Sequence, residues 1–68
     1  MTDKTVSQYY LDGIRDGRAW FKEHGMDMAE AHLDTLTRTA RTFSASSPVG
    51  QMLRGERDFW RNKLKGAN

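Results

Sequence analysis

LDGIRDGRAWF, residues 11–21, places two glycines, Gly13 and Gly17, four apart in a stretch whose apolar residues repeat as they do in a helix. Whether this is one helix or a pair of turns decides the fold. Each glycine costs a helix interior about 1 kcal/mol relative to alanine, and Asp-Gly twice over is a turn signal. Plotted at roughly 100° per residue, however, Val6, Tyr9, Tyr10, Gly13, Ile14, Gly17, Trp20 and Phe21 gather in one arc of about 140°. Gln8, Asp12, Arg15, Asp16, Lys22 and Glu23 fill the opposite side. The stripe continues through both glycines, so the helical reading wins. It leaves a bare strip between aromatic rings where another helix can approach the backbone closely. G-x-x-x-G is best known from membrane helices, but this segment is too charged to span one.

The ends of this helix are marked. Thr5 and Gln8 form a T-x-x-Q capping box. His24-Gly25 supplies a stop, because glycine accepts positive φ after a helix, and Lys22 favours the negative end of the dipole. A first helix over about 6–24 follows. Asp27 and Glu30 suggest a second capping box, opening a helix over about 28–43. Met26, Ala29, Leu33, Leu36, Ala40 and Phe43 then recur at spacings of 3, 4, 3, 4 and 3, a short heptad seam suited to a small bundle. TLTRTART alternates as a strand would. A strand would put Leu36, Arg38 and Ala40 on one face, a poor core, so the helix is preferred. Ser47-Pro48 is a start signal, serine as N-cap and proline at the first helical position. A third helix over about 48–65, closed by Gly66, presents Val49, Met52, Leu53, Phe59, Trp60 and Leu64 on its apolar side, with Gly55 at that side's edge.

The expected fold is all-α: three short helices, a helical hairpin plus a third helix, forming one domain over residues 1–68. At 68 residues, 37% hydrophobic and 29% charged, the chain is too patterned for a disordered tail and has a thin core for a lone domain. A homo-oligomer is therefore expected. The chain has no cysteine, which excludes disulfides and thiolate metal sites. No stretch has the length of a membrane span or the apolar core of a signal peptide, so a cytoplasmic protein with no membrane partner is expected.

Few motifs carry chemistry. His24 and His32 lack a compact third metal ligand, and Asp12 and Asp16 lack the calcium-loop ligand series. No phosphate loop, nucleophile elbow or zincin motif is present. The expectation is a non-enzyme with no metal and no cofactor. Glu56 falls inside the apolar arc of the third helix, where a carboxylate needs a partner. It reads as a structural ion pair or a half-exposed residue at a chain edge, or as a specificity contact to a second subunit or another protein; as a catalytic acid it lacks a nucleophile or a second acid to work with. Arg54, Arg57, Arg61 and Lys65 form a cationic stripe, either a solvated face or a site for an anionic partner. Tyr9 and Trp20, with Tyr10, flank the glycines as core, dimer seam or recognition patch.

YYLDGIRDGR and LRGERDFWRNKLK together resemble segments of small helical proteins of tailed-phage and prophage genomes. The resemblance spans most of the chain and implies binding to one host protein, to block or redirect it, including in defence systems. It carries over no site residues. VGQMLRGERDF is also similar to the first helix of repressor-type DNA-binding domains, but the turn and recognition helix expected after it do not follow before Asn68.

The function expected is that of a small inhibitor or regulator that docks on a host protein. Arg54, Arg57, Arg61 and Lys65 would steer it, Tyr9, Trp20 and Glu56 would make the contacts, and Gly13 and Gly17 would serve close helix packing. The rival readings are nucleic-acid binding through the arginine stripe and capture of a small anionic ligand, such as a nucleotide, at an oligomer interface.

Overall fold

The structure, a computed structural model, describes residues 5–66. These form three helices, α1 (Val6–His24), α2 (Ala29–Ala40) and α3 (Pro48–Gly66), with no strand among the described residues. None of these helices is long and apolar enough to cross a membrane.

α1 is one unbroken helix through both glycines. Its capping box is complete: Thr5 Oγ accepts the Gln8 N–H at 3.3 Å, and Gln8 Oε1 accepts the Thr5 N–H at 2.6 Å. Gly25 stops it at φ +66°, ψ −146°, a conformation open mainly to glycine, while its N–H bonds the Phe21 carbonyl at 2.7 Å.

α3 is the helix on which the other two pack. The register against α1 is set by the glycines. Gly55 of α3 lies against the backbone of Tyr10 and Ile14, Gly13 against that of Met52 and Glu56, and Gly17 against the side chains of Glu56 and Phe59. Further along, Phe21 meets Phe59 and Trp60 edge to face. The pairs advance in the same direction on both helices, so α1 and α3 run parallel. A Cβ on Gly13 would fall well inside 3.0 Å of the Met52 carbonyl, and one on Gly55 would do the same to the Tyr10 carbonyl. The bare strip on α1 is thus filled by α3 of the same chain, with a reciprocal glycine, and supplies no argument for a second subunit.

α2 runs back along α3 on the other side. Ala40 at its end lies beside Arg54, and His32, two turns earlier, beside Glu56. The core cluster joins Ala29, Leu36 and Trp60, with Trp20, Phe21, Leu33, Leu53, Phe59 and Leu64 packed around it. Trp60 is 0% exposed. Among the described residues its indole N–H has no hydrogen-bond acceptor, and the Trp20 and His32 rings pack nearly perpendicular to it at 5.8 and 5.5 Å between centroids.

The boundaries of α2 differ from the 28–43 expected, and the second capping box is absent. The N-cap is Met28, which makes no side-chain cap bond. Asp27 stands one residue ahead of this N-cap, inside a turn closed by the Ala29 N–H on the Met26 carbonyl at 3.1 Å. At the other end Arg41, Thr42 and Phe43 bond carbonyls three residues back at 3.2, 3.0 and 3.3 Å, a tightening that ends the α-helix at Ala40. The seam residues Met26 and Phe43 therefore lie outside the helix and are exposed. The threonines that made this segment resemble a strand are helical. Thr35, Thr37 and Thr39 each donate a hydroxyl to the carbonyl four residues back, at 3.0, 2.8 and 2.8 Å. α3 starts as expected, with Ser47 Oγ accepting the Gly50 N–H at 2.9 Å. Gly66 is its last helical residue rather than a cap.

The glycines rank by what a methyl group would strike. At Gly13 and Gly55 it meets backbone that cannot move alone; at Gly17 it meets the Phe59 ring and the Glu56 side chain. Overpacking costs about 1–3 kcal/mol, against about 1 kcal/mol regained from alanine's helix propensity. Urea unfolding of Gly13→Ala and Gly55→Ala should show a net loss of up to about 2 kcal/mol, and Gly17→Ala a smaller change. Equal, near-zero effects at all three would contradict the packing described.

Candidate functional site

The residues singled out in the sequence separate into two groups in space. Glu56 reaches across α3 to α2, where Glu56 Oε2 lies 2.7 Å from His32 Nε2. The His32 ring stacks on Trp20 at 4.3 Å between centroids and 10° between planes. Trp20 and Glu56 therefore tie the three helices together, with both members of the Glu56–His32 pair largely covered. His24 lies against Trp20 at 4.1 Å. Among the described residues no group of three His, Asp or Glu side chains converges as metal ligands would.

The cationic stripe is divided. Arg54 turns inward and donates to the carbonyls of Gly50 at 2.9 Å and of Ala40 and Phe43 at 3.2 Å each. The guanidinium's forked donors thus tie α3 to the chain at the end of α2, adding to the bond that Phe43 N–H already gives the Ala40 carbonyl. Arg57 holds Asp58, with Nε at 3.1 Å and a terminal nitrogen at 3.0 Å from Oδ1. Arg61 stands 3.9 Å from the same oxygen and keeps 57% of its side chain exposed. Lys65 is exposed. Tyr9 is half-buried on α1.

Asp58 and Tyr10 are the titratable pair that this arrangement perturbs. Tyr10 donates its hydroxyl to Asp58 Oδ2. That bond, then burial, then the Asp58 charge push the phenol above its ordinary 10.0, with Arg57 opposing. For Asp58, burial alone would raise the carboxyl. The bond from Tyr10, the bond from Arg57 and the charges of Arg57 and Arg61 outweigh it and hold the group below its ordinary 3.8.

Beside this pair a groove of about 540 Å³ opens between α1 and α3, on the side that α2 does not cover. Ile14 and Phe21 of α1, Met26 of the following turn and Phe59 of α3 give it an apolar lining, with Asp58 at one end and Lys63 further along. The groove exists because α2 closes only one side of the α1–α3 pair. Lys63 Nζ lies 4.6 Å from the centroid of the Phe21 ring and 5.7 Å from that of Phe59. Asp58, Asn62 and Lys63 did not stand out in the sequence. The signal available was the one-turn spacing of Phe59 and Lys63, legible only once the parallel register with Phe21 is known.

Two measurements check this description. Tyr10→Phe removes one side of the Asp58 pair. The pair contributes stability in full above about pH 4 and below about pH 10, lost as pH falls through the lowered Asp58 value or rises through the raised Tyr10 value. The difference in Tm between wild type and Tyr10→Phe should be widest between about pH 5 and 9 and shrink at both extremes. A difference independent of pH would contradict the pairing. Arg54→Gln should cost about 1–3 kcal/mol in urea unfolding, as loss of charged bonds to carbonyls does, whereas Arg61→Gln should stay within about 0.5 kcal/mol of wild type. Reversal of that order would place the two arginines wrongly. No protein-family model matches the chain, and the comparisons with curated proteins and with solved structures gave no match either.

Proposed function

We propose that this chain is a binding module that docks on another protein through the groove between α1 and α3 and acts by occupying that protein's surface. The observation that carries the reading is the groove: an apolar lining of Ile14, Phe21, Met26 and Phe59 with charged groups at defined positions. Recognition surfaces combine apolar anchors with a polar rim in this way. In this reading the protein is a cytoplasmic regulator without catalysis, and the likeness to tailed-phage proteins makes the partner a host protein.

Nucleic-acid binding through the stripe is the weaker reading. Arg54 and Arg57 are engaged by carbonyls and by Asp58, which leaves Arg61 and Lys65 of the original four facing solvent. With Lys63 these make three exposed cations on this part of α3, and so few give limited phosphate neutralisation and a shallow salt dependence.

A photo-crosslinking residue placed at Met26, in the groove, should form a discrete adduct in host extract, and one at Arg38, on the outer face of α2, should not. Unlabelled protein should compete the adduct away, and Met26→Asp, at a position already 36% exposed, should compete poorly while melting as wild type does. Adducts of equal yield from both positions, or a Met26 adduct that is nucleic acid, would contradict the reading.

A further inference from the structure

Resting on the docking reading above, we infer that the groove takes an acidic amphipathic helix of a partner protein: two turns, apolar side chains four apart, and a carboxylate that meets Lys63. Three observations converge on this occupant. The first is the state of the charges. Asp58 is matched within the chain by Tyr10 and Arg57, with Arg61 beside them. Lys63 rests over the Phe21 and Phe59 rings and makes no ion pair among the described residues. Lys63 is exposed, so an arriving carboxylate can reach its ammonium, while its contacts with the two rings hold that charge beside the apolar lining. Arg61 and Lys65, both exposed, extend the positive field along the same helix and favour encounter with an acidic partner.

The second observation is length. Along α3 the lining runs from Asp58 to Gly66, about 12 Å at 1.5 Å per residue, which is two helical turns. Two apolar side chains at i and i+4 match that run and the ring spacing beneath it.

The third is that the described residues do not present such a ridge to a second copy of the chain. Its large exposed apolar residues are Val6, Leu11, Met26, Met28, Phe43 and Val49. Val6 and Leu11 are five apart on α1, about 140° around the helix and so on different faces. Val49 stands alone on α3, and the other three lie in the connections. A foreign helix fits the groove better than another copy does.

The test uses 15N-labelled protein and three probes: a capped twelve-residue helical peptide with two leucines four apart flanked by glutamates, the same peptide with lysines for glutamates, and dodecanoate. The glutamate peptide should saturate shifts at the amides of Ile14, Phe21, Phe59 and Lys63. It should bind about fivefold more tightly than the lysine peptide, the upper range for one part-exposed ion pair, and Lys63→Glu should reverse that preference. Equal binding of the two peptides, or no reversal, overturns the acidic occupant while leaving docking in the groove intact. Dodecanoate saturating these amides while both peptides leave them unmoved overturns it in favour of a small aliphatic acid. Shifts at the same amides on concentrating the protein alone overturn it in favour of a second copy. Silence from all three probes overturns the acidic helix and the groove reading together.

Discussion

Everything in this fold follows from two helix backbones brought into contact at Gly13 and Gly55. Side chains there would hold α1 and α3 apart, since a Cβ at either position would overlap a carbonyl of the facing helix. Removing both lets Tyr10 and Ile14 lie directly on α3 and brings Phe21 over Phe59 and Trp60. A chain this short has little apolar area to bury, and close approach makes the most of dispersion contacts that fall away steeply with distance. The helix-propensity cost of the glycines is local and the gain is shared along the whole helix pair.

The same contact explains why the polar groups lie where they do. With α1 and α3 parallel, α2 covers one flank only. On that flank Glu56 and His32 bridge two helices beneath the Trp20 ring, and Arg54 supplies donors to carbonyls at the end of α2. On the uncovered flank Asp58 is held by Tyr10 and Arg57, and Lys63 lies over aromatic rings. The interior face of α3 is thus tied up in holding the bundle, and the outward face carries the groove and the remaining cations. Phe59 joins the two: it packs against Gly17 and Trp60 and also lines the groove.

Much of this was legible in the sequence, for identifiable reasons. Capping chemistry is local, so Thr5–Gln8 and Ser47-Pro48 mark two helix starts directly. Periodicity is local too, and it carried the helical reading across Gly13 and Gly17 and through the threonines of α2. Asp27–Glu30 misled because a capping pattern is indifferent to whether the preceding turn already occupies the aspartate's position. The arginine stripe misled differently. Spacing alone places Arg54, Arg57, Arg61 and Lys65 on one flank, but it does not say that the end of α2 and Asp58 lie within reach of the first two. The groove itself was hidden, because it is made by the register of two helices that begin at Val6 and at Pro48 rather than by any single segment.

The central claim is that α1 and α3 of one chain lie in parallel backbone contact at the glycines. Nuclear Overhauser measurements on a mixture of isotope-labelled and unlabelled protein test it most directly. The account predicts cross-peaks from the Gly13 Hα protons to Met52 and Glu56, and from Gly55 Hα to Tyr10 and Ile14, within labelled chains and absent from the spectrum filtered for contacts between chains. Their appearance only in the filtered spectrum, or cross-peaks pairing the two helices in the opposite direction, would contradict it.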